Sequence, residues 1–137
     1  KAYYSRLTSD NKKLRLGAAK AWLAWEVATS RLLQNKTLLH PLNNEKAAEA
    51  FARIECHYFI NKGFLKNDNW IIENINQLKE IPIKIIQGRY DVVCPMISAW
   101  ELHNALPNAC LYIMKRSGHS MLEKEIRKKL IEIMDKI

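Results

Sequence analysis

Asp91 and His119 are the residues whose types and settings could do chemistry together. Asp91 stands in IPIKIIQGRYDVVCP, Ile81 to Pro95, where an apolar run with the look of a buried strand breaks at Gly88 and leaves the carboxylate just beyond it. His119 stands in KRSGHSM, just after the β-like run ACLYIM. A histidine acting as general base needs its Nδ1–H held by an acceptor. That contact fixes the tautomer and stabilises the imidazolium formed when the ring takes a proton from a nucleophile. Asp91 is suited to be the orienter and His119 the base. Each has a plainer reading alone, because Asp after Gly is a common turn former and a His in a Ser-Gly-His-Ser loop is commonly just solvated. The joint arrangement singles them out.

The elements that must position this pair follow from periodicity. Ser9-Asp10 can cap a helix over NKKLRLGAAKAWLAWEVATSRLL, with Leu14, Ala18, Ala21, Trp22, Trp25 and Leu32 among its apolar positions. A polar connection through Asn35, Pro41, Asn43 and Asn44 leads to a second helix, EKAAEAFARIECHYFINKG. Its apolar period runs through Ala47, Ala50, Phe51, Ile54, Tyr58 and Phe59, and Gly63 is its stop. The Trp and Phe stripe of these helices is expected to be core. A shorter helix over DNWIIENINQL takes Asn67 or Asp68 as cap. After Glu80 the pattern changes to strand IPIKIIQ, helix ISAWELHNAL, strand ACLYIM and a closing helix from about Leu122 to Ile137. Alternation of this kind implies parallel strands with right-handed crossovers, and functional groups gather outside the carboxyl ends of such strands. Neighbouring strands lie about 4.8 Å apart, so loops leaving one edge can bring Asp91 against His119. The chain thus divides into an all-helical part, residues 1–77, and an α/β part, residues 78–137. Asp and then His past successive strands is the closing section of an α/β-hydrolase layout.

Bulk properties narrow the classes. With 137 residues, 48% hydrophobic and 26% charged, the chain is in the range of a soluble globular domain rather than a disordered one. It has no apolar run long enough to span a membrane, no signal-peptide pattern and no lipidation motif, so no membrane partner and a cytoplasmic setting are expected. The formal charge of +8 comes from scattered lysines and arginines, with brief clusters only at Lys12-Lys13 and Arg127-Lys128-Lys129. No nucleic-acid motif accompanies them, and a solvated basic surface is the reading. Cys56, Cys94 and Cys110 are an odd set without regular spacing, which suits reduced thiols better than a disulfide scaffold or zinc site. His40, His57 and His103 have no ligand constellation, so neither metal nor cofactor is expected. The opening KAYYSRLTSDNKKLRLG reads like the end of one helix running into another, and a piece of a longer protein is expected.

The segments WLAWEVATSRLL, FARIECHYFINKGF, IIQGRYDVVCP and SGHS, in this order, resemble the proline iminopeptidases, serine peptidases of the α/β-hydrolase fold that remove N-terminal proline from peptides. The similarity extends over nearly the whole chain, from RLTSDN to SGHS, and the combination of ARIECHYF with QGRYDVVCP is much narrower than a lone GHS. It implies the C-terminal part of an α/β-hydrolase preceded by an all-helical cap, with Asp91 and His119 as triad members. The Gly-x-Ser-x-Gly elbow carrying the family's nucleophile does not occur in these residues, and the oxyanion donors also come from the part that is not here. Ser98, Ser117 and Ser120 do not sit in an elbow.

The resemblance further implies that carboxylates of the cap meet the free amino terminus of the substrate, which maps onto Glu26 of WEVATS and Glu55 of RIECHY. Each stands on a largely apolar face, one turn from Trp22 or from Phe51 and Phe59, where an unpartnered carboxylate is costly. The competing reading is an internal ion pair with Arg31 or Arg53. Cys94 is implied to lie near the site without being the nucleophile, against the alternative of a buried small side chain. The expected partners are a peptide with a free N-terminal proline and the remainder of the same protein. An incomplete sheet would also expose a strand edge and favour self-association. The rival functions are another capped α/β-hydrolase, such as an esterase or epoxide hydrolase, and a non-catalytic module from a truncated hydrolase.

Overall fold

The computed structural model describes residues 1–33 and 44–136. They fall into two compact units, one made of 1–28 and 44–68 and the other of 29–33 and 69–136.

The first unit is helical: α1 is Ala2–Leu7, α2 is Lys12–Thr29 and α3 is Glu45–Ile60. Asn11, rather than Ser9 or Asp10, caps α2, its side-chain oxygen accepting from the Leu14 N–H at 3.2 Å. Ser9 instead accepts from the Asn11 N–H. Asn44 caps α3 in the same way through the Ala47 N–H at 3.1 Å. The helix stops at Ile60, short of Gly63, which sits in a following 3-10 turn, Lys62–Phe64, where all three residues have positive φ. Leu7, Ala18, Ala19, Ala52 and Cys56 form the core, with Trp22 packed against them. The expected aromatic core is not what forms: Trp25 is 69% exposed and Phe59 62%, and Phe51 is exposed as well. The buried face of α3 is Ala48, Ala52 and Cys56, a row of small residues at four-residue spacing that lets helices approach closely.

The second unit is α/β. Its first elements are a single helical turn, α4 (Trp70–Glu73), and the 3-10 turn Ile75–Leu78; Asn69 stands at the cap position of α4 instead of Asn67 or Asp68. Then come β1 (Lys84–Gly88), α5 (Met96–Ala105), β2 (Cys110–Met114) and α6 (Lys124–Met134). The strands pair in parallel, Lys84 opposite Cys110 through Gly88 opposite Met114, with α5 as the crossover. Ile81 and Pro82 remain outside β1, and the strand is half-buried rather than buried: Ile85 to Gln87 are partly covered and only Gly88 is fully so. Pro82 has no N–H to give to a ladder. Ala99, Leu106, Ala109 and Ile126 are the buried apolar residues of this unit.

The long first helix ends earlier than its sequence pattern, at Thr29. The next residues bond elsewhere: the Ser30 carbonyl accepts from the Ser120 N–H at 2.7 Å and the Leu32 N–H donates to Glu123 at 2.8 Å. Leu32 therefore belongs to the α/β unit.

Candidate active site

Asp91 and His119 meet. Nδ1 of His119 lies 2.9 Å from Oδ2 of Asp91, and the Asp side chain is 5% exposed against 38% for the His. Register and turn chemistry bring this about. Beyond the last ladder pair the two loops stay zipped, Arg89 N–H donating to the Met114 carbonyl at 2.9 Å and Tyr90 N–H to the Ser117 carbonyl at 3.0 Å. Gly88 is what allows it. A Cβ there would lie 1.8 Å from the Gly118 carbonyl oxygen and 2.7 Å from that of Ser117, so any side chain at this position forces the loops apart.

The Asp91 carboxylate is held on both oxygens. Oδ1 accepts from the backbone N–H groups of Val93 at 2.9 Å and Cys94 at 2.8 Å, an Asx-type turn that closes on the acid itself. Oδ2 takes the His119 ring nitrogen and, at 3.3 Å, the Gln87 side-chain amide, which also donates to the Cys94 carbonyl at 3.0 Å. Asp91 is thus a turn former and a contact of His119 at once, since the turn supplies donors to one carboxylate oxygen and the imidazole lies at the other. Three buried residues, Gly88, Ser117 and Gly118, underlie the pair. Cys94 is exposed, which removes the buried-side-chain reading, and its backbone N–H is one of the donors to Asp91. Ser117 is fully buried, Ser98 is exposed, and the Ser120 hydroxyl accepts from the Leu122 N–H.

Glu26 and Glu55 both lie in the helical unit, half-buried, on α2 and α3. The Trp22 indole N–H donates to Glu55 Oε2 at 2.5 Å, and Trp22 is itself wedged against Tyr3 and Phe59, with ring centroids 5.2 and 6.0 Å away. Arg53 turns to Glu49, 3.5 Å away, and Glu49 also takes the Arg15 guanidinium. His40 lies outside the described residues, as do Asn35, Pro41 and Asn43. Among the described residues no cluster of three or more His, Cys, Asp or Glu side chains is arranged to hold a metal, and no helix is long and apolar enough to cross a membrane.

Sequence reasoning missed three residues that hold these groups: Gln87, Trp22 and Glu123. An amide at the end of an otherwise apolar strand was a usable signal for Gln87. Glu123 carries none, because its partners are backbone N–H groups, one at Gly118 and the other far away in the chain at Leu32.

Comparisons with known proteins agree with this geometry at the level of the fold. The chain is 50% identical over 135 residues to a probable proline iminopeptidase of Leptolyngbya boryana, covering 98% of this chain and 42% of that protein. It is 43% identical to the proline iminopeptidase of Arabidopsis thaliana, over 99% of this chain and 36% of that protein, and 37% identical to that of Neisseria gonorrhoeae, over 99% and 42%. The chain thus spans about two-fifths of the length of the curated relatives it matches. Among solved structures, an alpha/beta fold family hydrolase from Bacillus anthracis superposes with a TM-score of 0.58 at 24% identity, over 99% of this chain and 46% of that one. An esterase from Exiguobacterium antarcticum gives 0.53 at 20%, over 98% and 47%. Residues 41–129 match the family described as TAP-like protein. With helices ahead of a parallel strand–helix–strand–helix section, and with that match over most of its length, the chain belongs to the TAP-like family of α/β-hydrolases.

Proposed function

We propose that these residues are the cap and C-terminal section of a proline iminopeptidase, and that Asp91 and His119 are two-thirds of its triad. The observation that carries the reading is the 2.9 Å contact between His119 Nδ1 and an Asp91 carboxylate whose other oxygen is tied to backbone N–H groups. A carboxylate so fixed keeps the proton on Nδ1 and leaves Nε2 free to act as base. The nucleophilic Ser and the oxyanion donors come from outside this chain. The Ser Oγ attacks the prolyl carbonyl while its proton passes to His119 Nε2; the same proton then goes to the leaving amine, and water releases proline from the acyl-enzyme by the reverse sequence. The identities to proteins named proline iminopeptidase support the substrate class.

In this reading Glu26 and Glu55 receive the protonated prolyl nitrogen, Trp22 holds Glu55, and Cys94 stands beside the site as a thiol that is not the nucleophile. The remaining protein also covers the strand edges, which otherwise invite self-association. A cytoplasmic setting suits the free thiols.

The test is arylamine release from a prolyl arylamide beside its N-blocked counterpart. The complete protein should cleave only the free-amine substrate, Glu26→Gln and Glu55→Gln should each lower kcat/KM for it by roughly tenfold or more, and residues 1–137 alone should be silent. Equal cleavage of both substrates, or indifference to both substitutions, would point to an esterase-type hydrolase instead. Turnover by the isolated chain that is lost on His119→Ala would overturn the need for an external Ser.

A further inference from the structure

Glu123 stands at the N-cap of α6, yet its side chain makes no capping bond to its own helix. Ser, Thr, Asp or Asn at that place would normally accept from the first turn. The carboxylate reaches backwards instead. A single oxygen, Oε1, accepts from the Gly118 N–H and from the Leu32 N–H, each at 2.8 Å. Gly118 immediately precedes His119, is buried, and is closely packed: a Cβ there would lie 3.0 Å from the Leu32 nitrogen and 3.1 Å from this same Oε1, so these neighbours would have to give way slightly. Beside it the Ser30 carbonyl accepts from the Ser120 N–H at 2.7 Å, and the Glu123 N–H donates to the Ser120 carbonyl at 3.0 Å. The residues on both sides of His119 are therefore fastened to one carboxylate and to the strap Ser30–Leu32 that continues α2 in the chain.

We propose that Glu123 is a positioning residue: it sets the backbone that presents the His119 imidazole to Asp91. The inference rests on the reading of that pair as the catalytic acid–base machinery. A half-buried carboxylate accepting two backbone N–H groups makes charge-assisted bonds, and their loss leaves the N–H of buried Gly118 without this acceptor and releases the exposed Leu32 strap. His119, whose own side chain is exposed and is tied to Asp91 by one contact, has little else to fix its ring. A displacement of the imidazole on the order of 1 Å costs up to about a hundredfold in rate.

The experiment compares Glu123→Ala, Glu123→Asp and Glu123→Gln in the complete protein, reading kcat and KM on the prolyl arylamide and the low-field NMR signal of the His119 Nδ1 proton. Ala and Asp should lower kcat by about tenfold or more with KM nearly unchanged, and should broaden or shift the proton signal. Gln, whose amide oxygen has the same reach and can accept both bonds, should restore most of both. If Asp matches the wild type while Gln does not, net charge and not reach is the property used, and the assignment is overturned. It is equally overturned if all three variants keep kcat and the proton signal. The proton signal separates this proposal from the functional one: a wild type inactive on prolyl substrates whose signal still follows reach would remove the substrate class and leave the clasp standing.

Discussion

Asp91 and Glu55 are both partly buried carboxylates, and they are held by different means. Asp91 rests on two backbone N–H groups of its own turn, with an amide and an imidazole on its second oxygen. Glu55 takes an indole N–H from another helix, and that indole is aimed by side-chain packing, between Tyr3 and Phe59 and against the small-residue core. A turn built from the acid's own neighbours fixes its direction as soon as the turn forms. A side-chain donor fixes direction only as well as its packing does. The first arrangement suits a group that must orient one atom to within a fraction of an ångström, the second a group that meets a ligand arriving from solution.

Gly88→Ala tests the backbone side of this contrast and should have the largest effect. The new Cβ meets two carbonyl oxygens that cannot rotate away, so the Asp and His loops must separate. In the complete protein kcat should fall by about a hundredfold or more, and the His119 Nδ1 proton signal should disappear. A variant within tenfold of wild type would mean that the loop contact is not what sets the pair. Trp22→Phe tests the side-chain arrangement. It keeps a ring between Tyr3 and Phe59 but removes the donor to Glu55, and KM for a free prolyl arylamide should rise by about tenfold while kcat stays nearly constant. An unchanged KM would show that Glu55 needs no help from the indole.

The same contrast explains what could be read in the sequence. The parallel strands, the crossover and the meeting of Asp91 with His119 were legible because each depends on local signals, an apolar run, a glycine and a polar residue just past it. The meeting itself follows from strand adjacency. The helical core differs from the sequence expectation because side-chain size does not track burial there. In α3 the sequence favours Phe51, Ile54 and Phe59, but the helices close on Ala48, Ala52 and Cys56, and the large rings stay outside. Close approach along a small-residue row excludes bulk, and hydropathy does not register that preference. Glu123 was not legible because a carboxylate that binds backbone N–H groups, one near at Gly118 and one distant at Leu32, leaves no pattern in side-chain types. The end of α2 shifted for the same reason, since Ser30 and Leu32 satisfy their backbone in the α/β unit instead of continuing the helix.

The smallest expected effect belongs to the helical unit, where α2 and α3 are joined by ion pairs. Arg15 binds Glu49, with both side chains 20% exposed, and the hydrogen bond from its guanidinium, with its charge and that of Arg53, holds the Glu49 carboxyl below its ordinary value of 4.5 in spite of an opposing push from burial. A carboxyl whose pKa is lower folded than unfolded adds stability that is fully present above the unfolded value and is lost as pH falls through the folded one. Removing the cation with Arg15→Met should therefore lower the melting temperature most near neutral pH, by the equivalent of about 1 kcal/mol or less, since a pair this accessible is partly screened. The difference from wild type should shrink once the pH drops below about 4.5, where Glu49 begins to protonate in the unfolded chain. What survives at low pH is the bond from Arg15 to the Ser9 carbonyl, 2.6 Å, together with the packing of its stem, neither of which titrates with Glu49. A melting difference that stays constant from about pH 7 to about pH 3 would assign the whole effect to those contacts and none of it to the Arg15–Glu49 ion pair.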